Sequence, residues 1–201
     1  MNPVGAVILC GGQSSRMGED KCFLRYHGKP QWQHLAAMVN GRCDFTLVSC
    51  HAHQSASLSR QAEDLALPLR VVEDAPHVAG RGPMAGLLSA WEAKPETSLL
   101  VVACDYPLIT PADFDALLTE RQAGAGAVCF HHGGMDEPVV AVYEWSARDS
   151  ILRLFSQGEY SLRRALQGLN PRRIPAPEHL VSIDTPDQAQ AVMSRLGFTD
   201  H

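Results

Sequence analysis

The chain has 201 residues, enough for one domain with a large core, and its 45% apolar and 19% charged content is ordinary for a globular fold. A net charge of −5 argues against non-specific binding to nucleic acid. There is no run of about 18 apolar residues to span a membrane, and Met1-Asn2-Pro3-Val4 carries no basic leader, so a cytoplasmic location is expected.

Helix-like and strand-like segments alternate, which predicts an α/β fold with a mostly parallel sheet. The first strand is Val4–Leu9. Pro30 opens a helix over 31–40, and a second strand covers Phe45–Cys50. A polar, Ser/Ala-rich segment, 53–65, reads as helical, and Leu69–Val72 as a third strand ending in Glu73-Asp74. Gly80 to Pro83 forms a second glycine-bearing turn before a helix over 84–93. Ser98–Ala103 is the most apolar strand and runs into Cys104-Asp105-Tyr106-Pro107, after which Pro111 starts a helix to about 122.

Past residue 125 two strand-like runs, 127–131 and 139–143, flank a loop containing Gly133-Gly134-Met135-Asp136-Glu137-Pro138. Helical patterns follow at 147–156 and 161–169, then a short strand at 181–183. Asp184-Thr185-Pro186 opens a last helix, with Asp184 or Thr185 as cap, and Gly197 stops it. The expected organisation is a single domain, with one half at about 1–124 and a second at about 125–201, where the rhythm of elements changes.

The most informative stretch follows the first strand: Leu9-Cys10-Gly11-Gly12-Gln13-Ser14-Ser15-Arg16-Met17-Gly18-Glu19-Asp20-Lys21. Its glycines permit tight turns and close backbone approach, and successive N–H groups in such a loop bind anions. Ser14 and Ser15 read as phosphate donors, and Arg16 and Lys21 add positive charge. The stretch fits neither the P-loop nor the dinucleotide fingerprint, because Glu19 follows Gly18 and Gly11-Gly12 are adjacent. A plain strand-to-helix turn explains a Gly-Gly pair alone. The longer string Gly-Gly-x-x-x-Arg-Met-Gly-x-Asp-Lys points to nucleotide phosphates.

Ligands of open parallel sheets bind beyond the carboxyl ends of the strands. Those ends carry the loop, Ser49-Cys50-His51, Glu73-Asp74, Cys104-Asp105 and Asp184. Asp105 is the best Mg²⁺ ligand, since Mg²⁺ commonly joins phosphates to one or two carboxylates; the plainer role is an Asp-x-Pro turn. Asp184 is a second candidate ligand, against a role as helix cap. Asp74 can accept from a ribose or base. The six cysteines form no Cys-x-x-Cys pair and read as small buried apolar residues, and no histidine spacing suggests zinc. No nucleophile elbow is present.

With those residues in view, the chain resembles nucleotidyltransferases of sugar-nucleotide-pyrophosphorylase-like fold, and within them the molybdenum cofactor guanylyltransferases. The loop carries the resemblance together with Gly28-Lys29-Pro30, Trp32-Gln33-His34, Glu73-Asp74, Gly82-Pro83-Met84-Ala85-Gly86-Leu87, Cys104-Asp105-Tyr106-Pro107 and Asp184-Thr185-Pro186-Asp187. It implies a three-layer α/β/α nucleotidyltransferase fold. It also implies an Mg²⁺-dependent transfer of GMP from GTP to the terminal phosphate of molybdopterin, and passing contacts with molybdoenzymes or other assembly proteins. Leu9, Cys10 and Gly11, with Gly12, would then meet guanine or ribose, and Lys21 the phosphates. Asp74 would contact the nucleotide, Asp105 both GTP and Mg²⁺, and Gly82-Pro83 the base pocket. Asp184 falls where a pterin- or metal-facing side chain belongs. Asn is common in the family where Ser49 and Asp184 stand, and His where Glu137 stands; the last two differences fall on the acceptor side. Cytidylyl transfer to the same cofactor, a sugar-phosphate acceptor and a non-catalytic GTP-binding assembly role are the alternatives. The Gly11-Gly12 pair favours guanine, since related cytidylyltransferases tend to carry Ala-Gly there, while Asp184-Thr185-Pro186-Asp187 leans slightly toward cytosine.

Overall fold

The computed structural model describes residues 2–11 and 20–197. Gly12, Ser14, Ser15 and Arg16 of the glycine-rich loop therefore lie outside the described residues. One sheet contains β1 (Val4–Leu9), β2 (Phe45–Cys50), β3 (Leu69–Glu73), β4 (Ser98–Ala103), β5 (Ala127–His132), β6 (Met135–Tyr143) and β7 (Arg172–Pro175), in the order β3-β2-β1-β4-β6-β5-β7. Only β6 runs against its neighbours β4 and β5; the other pairs are parallel. The helices are α1 (Gln31–Val39), α2 (Ala52–Glu63), α3 (Pro83–Ala93), α4 (Pro111–Thr119), α5 (Arg148–Ser156), α6 (Leu162–Gly168) and α7 (Pro186–Leu196). This is the expected α/β/α sandwich.

The two faces of β1 show how the layers form. Side chains alternate along a strand. Ala6 and Ile8 enter a core with Trp32 and Leu35 of α1, Leu58 of α2, and Phe114 and Leu117 of α4. Val7 and Leu9 enter the opposite core with Met84, Leu87 and Trp91 of α3, Ile151 of α5 and Leu166 of α6. A strand buried on both faces reads as a continuous apolar run, as Val4–Leu9 does. A third, smaller core joins Tyr26 to Ile183 and to Ala189, Val192 and Met193 of α7.

Several boundaries differ from the sequence reading, each for a physical reason. The loop expected at 133–138 is a tight hairpin: Gly133 and Gly134 turn with φ of +58° and +80°, and Met135–Pro138 already belong to β6. Residues 181–183 are not a strand. Ile183 donates its backbone N–H to the Asp105 carbonyl at 2.8 Å, outside any ladder. The sheet's edge is instead β7, whose Arg172, Arg173 and Pro175 disguise it as loop; edge strands commonly carry charge and proline. α4 ends at Thr119, short of 122, and α2 covers Ala52–Glu63 rather than 53–65.

Gly86 sets how closely α3 lies on the sheet. A Cβ there would fall 2.6 Å from Leu9 Cδ2 and 2.6 Å from Ser49 Oγ. Gly86→Ala gains about 1 kcal/mol of helix propensity but must displace the buried ends of the Leu9 and Ser49 side chains, an overpacking cost of about 1–3 kcal/mol. The expected outcome in urea unfolding is a net loss on the order of 1 kcal/mol. A stabilised variant would show that this close approach is not required.

Candidate active site

The strand order reverses at β1. β2 and β3 build outward on one side, and β4 returns to the other. A parallel α/β sheet opens a crevice at such a switch point, beyond the strand carboxyl ends. The register pairs Leu9 with Ser49 and with Ala103, so the chain leaves β1 and β4 side by side. A cleft of about 480 Å³ lies there. Its floor is Leu9, Cys10 and Gly11 from β1 and Ala103, Cys104 and Asp105 from β4. Lys21, His51, Gly80, Gly82, Pro83 and Val139 form its walls. The structure thus brings Leu9, Cys10, Gly11, Lys21, Gly82, Pro83 and Asp105 to one place.

Gly82 has φ +62° and ψ −152°, a conformation essentially restricted to glycine. It turns the chain so that Pro83 occupies the first position of α3, where a missing N–H costs nothing. The positive end of α3 therefore starts at the cleft wall, a favourable place for an anion.

Asp105 is the most perturbed acid at the site. Burial pushes its carboxyl up to about 6; the Lys21 ammonium works against that rise, and Asp184 and Glu137 add to it. Its Oδ1 is buried without a hydrogen-bond partner among the described residues. Lys21 reaches across the mouth. Its Nζ donates to the Ile183 carbonyl at 2.7 Å and to Asp184 Oδ1 at 2.8 Å. Asp184 is exposed at the rim and does not line the cleft. Thr185, not Asp184, caps α7: its Oγ1 accepts from the Gln188 N–H at 3.3 Å. The Asp184 carboxylate thereby receives Lys21 on one oxygen and the Ser182 hydroxyl, at 3.4 Å, on the other.

Ser49 and Asp74 stand one layer back. Asp74 Oδ1 accepts from Ser49 Oγ at 3.3 Å, and its Oδ2 lies 3.0 Å from His51 Nδ1. The Asp74 side chain is only 6% exposed. Burial raises its pKa, opposed by His51 and Ser49. The group that meets the cleft is the His51 ring. It lies against the backbone of Gly11, where a Cβ would be 3.2 Å from its Cε1. Sequence reasoning placed His51 at a strand end and gave it no role; a ring held by a buried carboxylate needs the three-dimensional pairing of β2 with β3 to be seen. Gly80 was read only as the start of a turn and Val139 only as the start of a strand; both line the cleft. In β6, Asp136 is committed to Arg173 at 2.8 and 3.0 Å and to His131 at 2.8 Å, and Arg173 lowers its pKa. Its neighbour Glu137 lies close enough to raise the pKa of both Tyr106 and Asp105.

Asp105 costs the fold stability. Its native carboxyl binds a proton more tightly than an ordinary aspartate at 3.8, so the penalty is absent below about pH 4 and complete above about pH 6. A shift of this size corresponds to at most about 3 kcal/mol. Asp105→Asn is expected to unfold at higher denaturant than the parent at pH 7.5, by about 1–3 kcal/mol. The gap should close as pH falls from 6 to 4. A pH-independent difference would mean that burial of the charge is not its source.

Comparison with known proteins adds the family. The pattern of the MobA-like NTP transferase domain matches residues 6–174. A probable molybdenum cofactor guanylyltransferase of Chloroflexus aggregans is 29% identical over 212 residues, covering 98% of this chain and 97% of that protein. One from Bacillus cereus strain Q1 is 26% identical over 184 residues, covering 92% and 90%. Among solved structures, the molybdopterin-guanine dinucleotide biosynthesis protein A of Archaeoglobus fulgidus superposes with a TM-score of 0.77 at 23% identity, covering 96% of this chain and 98% of that one. The chain is a member of the MobA-like NTP transferase family.

Proposed function

We propose that the protein is a guanylyltransferase that moves GMP from GTP to the terminal phosphate of molybdopterin and releases pyrophosphate. The observation that carries this reading is the convergence of Gly11, Lys21, Asp105 and the start of α3 on the cleft between β1 and β4. That convergence supplies backbone room, a cation, a carboxylate and a helix N-terminus around one volume. The relatives that match nearly the whole chain are named for the same reaction.

The chemistry asks little of the protein in the way of proton transfer. The nucleophile is a phosphate monoester, whose second pKa near 6 leaves it mostly ionised at neutral pH. Its oxygen attacks the α-phosphorus of GTP, the bond to the β-phosphate oxygen breaks, and pyrophosphate leaves with the electron pair. The remaining work is to bring two anions together and stabilise the charge on the leaving group. Lys21 does this as a fixed cation, ordered by Asp184 and the Ile183 carbonyl before phosphate arrives. Arg16, Gly12, Ser14 and Ser15 are proposed to contribute from the loop.

Mg²⁺ fits the residues present. Asp105 offers a buried Oδ1 without a hydrogen-bond partner among the described residues, and Asp184 a second carboxylate nearby at the rim. Among the described residues no three His, Cys, Asp or Glu side chains are grouped to hold a metal alone. That suits an ion that takes one or two carboxylates and completes its shell with phosphate and water. When bound, Mg²⁺ would neutralise phosphate charge and act as a Lewis acid on the phosphoryl oxygens.

The test is a specificity assay with GTP, CTP and ATP, Mg²⁺ and molybdopterin, read by pyrophosphate release and by the dinucleotide formed. Transfer from GTP is expected. Transfer from CTP alone would overturn the guanine assignment, and transfer only to a sugar phosphate would overturn the acceptor. Lys21→Ala should lower kcat on the order of a hundredfold, by analogy with removal of one oxyanion donor, with the unfolding midpoint nearly unchanged. Near-normal turnover in that variant would remove Lys21 from the mechanism.

A further inference from the structure

Gln54, at the start of α2, is 2% exposed and uses every polar group of its side chain. Its Nε2 donates to the Cys10 carbonyl at 3.1 Å and to Asp20 Oδ2 at 2.9 Å. Its Oε1 accepts the His51 backbone N–H at 3.0 Å. Cys10 and Asp20 are the two stems of the glycine-rich stretch, one leaving β1 and the other leading directly into Lys21. Among the described residues no hydrogen bond joins Cys10 directly to Asp20; the Gln54 amide bonds to both, beside a buried contact of the Cys10 thiol with the Cys22 thiol that follows Lys21. The exposed His53 also approaches Asp20 Oδ2, at 3.7 Å.

We propose that Gln54 is a positioning residue for triphosphate binding: its amide clamps both stems of the loop and so fixes where Lys21 enters the cleft. The two hydrogens of one planar NH₂ set the spacing of the stems, and the anchored oxygen fixes the amide plane against α2. The clamp acts through Asp20 on Lys21 and touches no substrate. This inference rests on reading the cleft as a nucleoside triphosphate site, and is indifferent to which base or acceptor is used.

A merely structural role makes a different prediction. Gln54 occupies the third position of α2, where Glu caps as well as Gln. Gln54→Glu retains the acceptor for the His51 N–H and loses both donors. If capping or filling space were its task, the change would be tolerated. If it clamps the loop, a carboxylate now faces the Cys10 carbonyl and the Asp20 carboxylate, and the stems part. Asp20→Asn in the same chain returns a donor to one of the two contacts, with the polarity of that bond reversed.

The experiment uses the full chain and measures dissociation constants for GTP, CTP and ATP with Mg²⁺ by calorimetry, kcat and KM for GMP transfer, and the unfolding midpoint. Gln54→Glu is expected to weaken binding of the preferred triphosphate at least about tenfold and to lower kcat by a similar factor. The double variant D20N/Q54E should recover at least about fivefold of each loss, because contacting residues couple rather than add. Binding and turnover of Q54E within about twofold of the parent would overturn the clamp, as would losses that simply multiply in the double variant. If Q54E fails to unfold cooperatively, Asp20→Ala decides: its side chain is 29% exposed, and triphosphate binding should weaken at least about fivefold at an unchanged midpoint. Unchanged affinity in Asp20→Ala overturns the clamp. A parent protein that binds a triphosphate but transfers no GMP removes the proposed function, while the clamp stands or falls on the binding constants.

Discussion

The parallel pairing of β1 with β4 is the contact on which the site depends. It is the seam where the sheet changes direction, and the Leu9–Ala103 register sets two chain exits side by side. Behind that floor, the sulfurs of Cys10 and Cys104 approach to 3.9 Å in a buried space. Burial holds the Cys10 thiol well above its ordinary pKa, so it remains neutral and packs as a small apolar group. Larger side chains here would push the strand ends apart and widen the cleft. The same economy of volume recurs at Gly86, which lets α3 settle on Leu9 and Ser49, and at Gly11, which lets the His51 ring lie on the backbone.

Electrostatics at the cleft is arranged as a set of deliberate imbalances. Asp105 is buried enough to resist ionisation, and Lys21 offsets that resistance only in part. Asp184 and Glu137 add negative potential at the same carboxyl. A buried carboxyl of this kind is unfavourable when it faces only its own charges, and positive charge brought near it would lower that cost. Asp74 is different in kind. Its two oxygens are taken by Ser49 and His51, so its charge is spent on orienting a ring.

Much of this was legible in the sequence. The apolar runs marked β1, β2 and β4 to the residue, because strands buried on both faces leave no ambiguity of period. Glycine, proline and acid at the strand ends located the cleft, because ligand chemistry concentrates where the strands stop. What was not legible depends on pairing across the chain. β7 carries the composition of a loop and is a strand only because Phe130 and its neighbours lie beside it. The Asp74–His51 contact links the ends of two different strands. The Gln54 bridge joins residues 34 and 44 positions away, through atoms that no local pattern distinguishes from a solvated glutamine.

The smallest core has a consequence for how the molecule comes apart. Tyr26, Ile183, Ala189, Val192 and Met193 form a cluster separate from the two layers that sandwich the sheet. It fastens α7, and α7 in turn delivers Asp184 to Lys21. Free energies of local opening follow the buried contacts that must be broken, so this corner loosens before the sheet does. The Lys21 ammonium is therefore steadied from a small core that stands apart from the two main layers. The ion pair that orders Lys21 at the cleft rests on a different set of buried contacts from those that hold the sheet together.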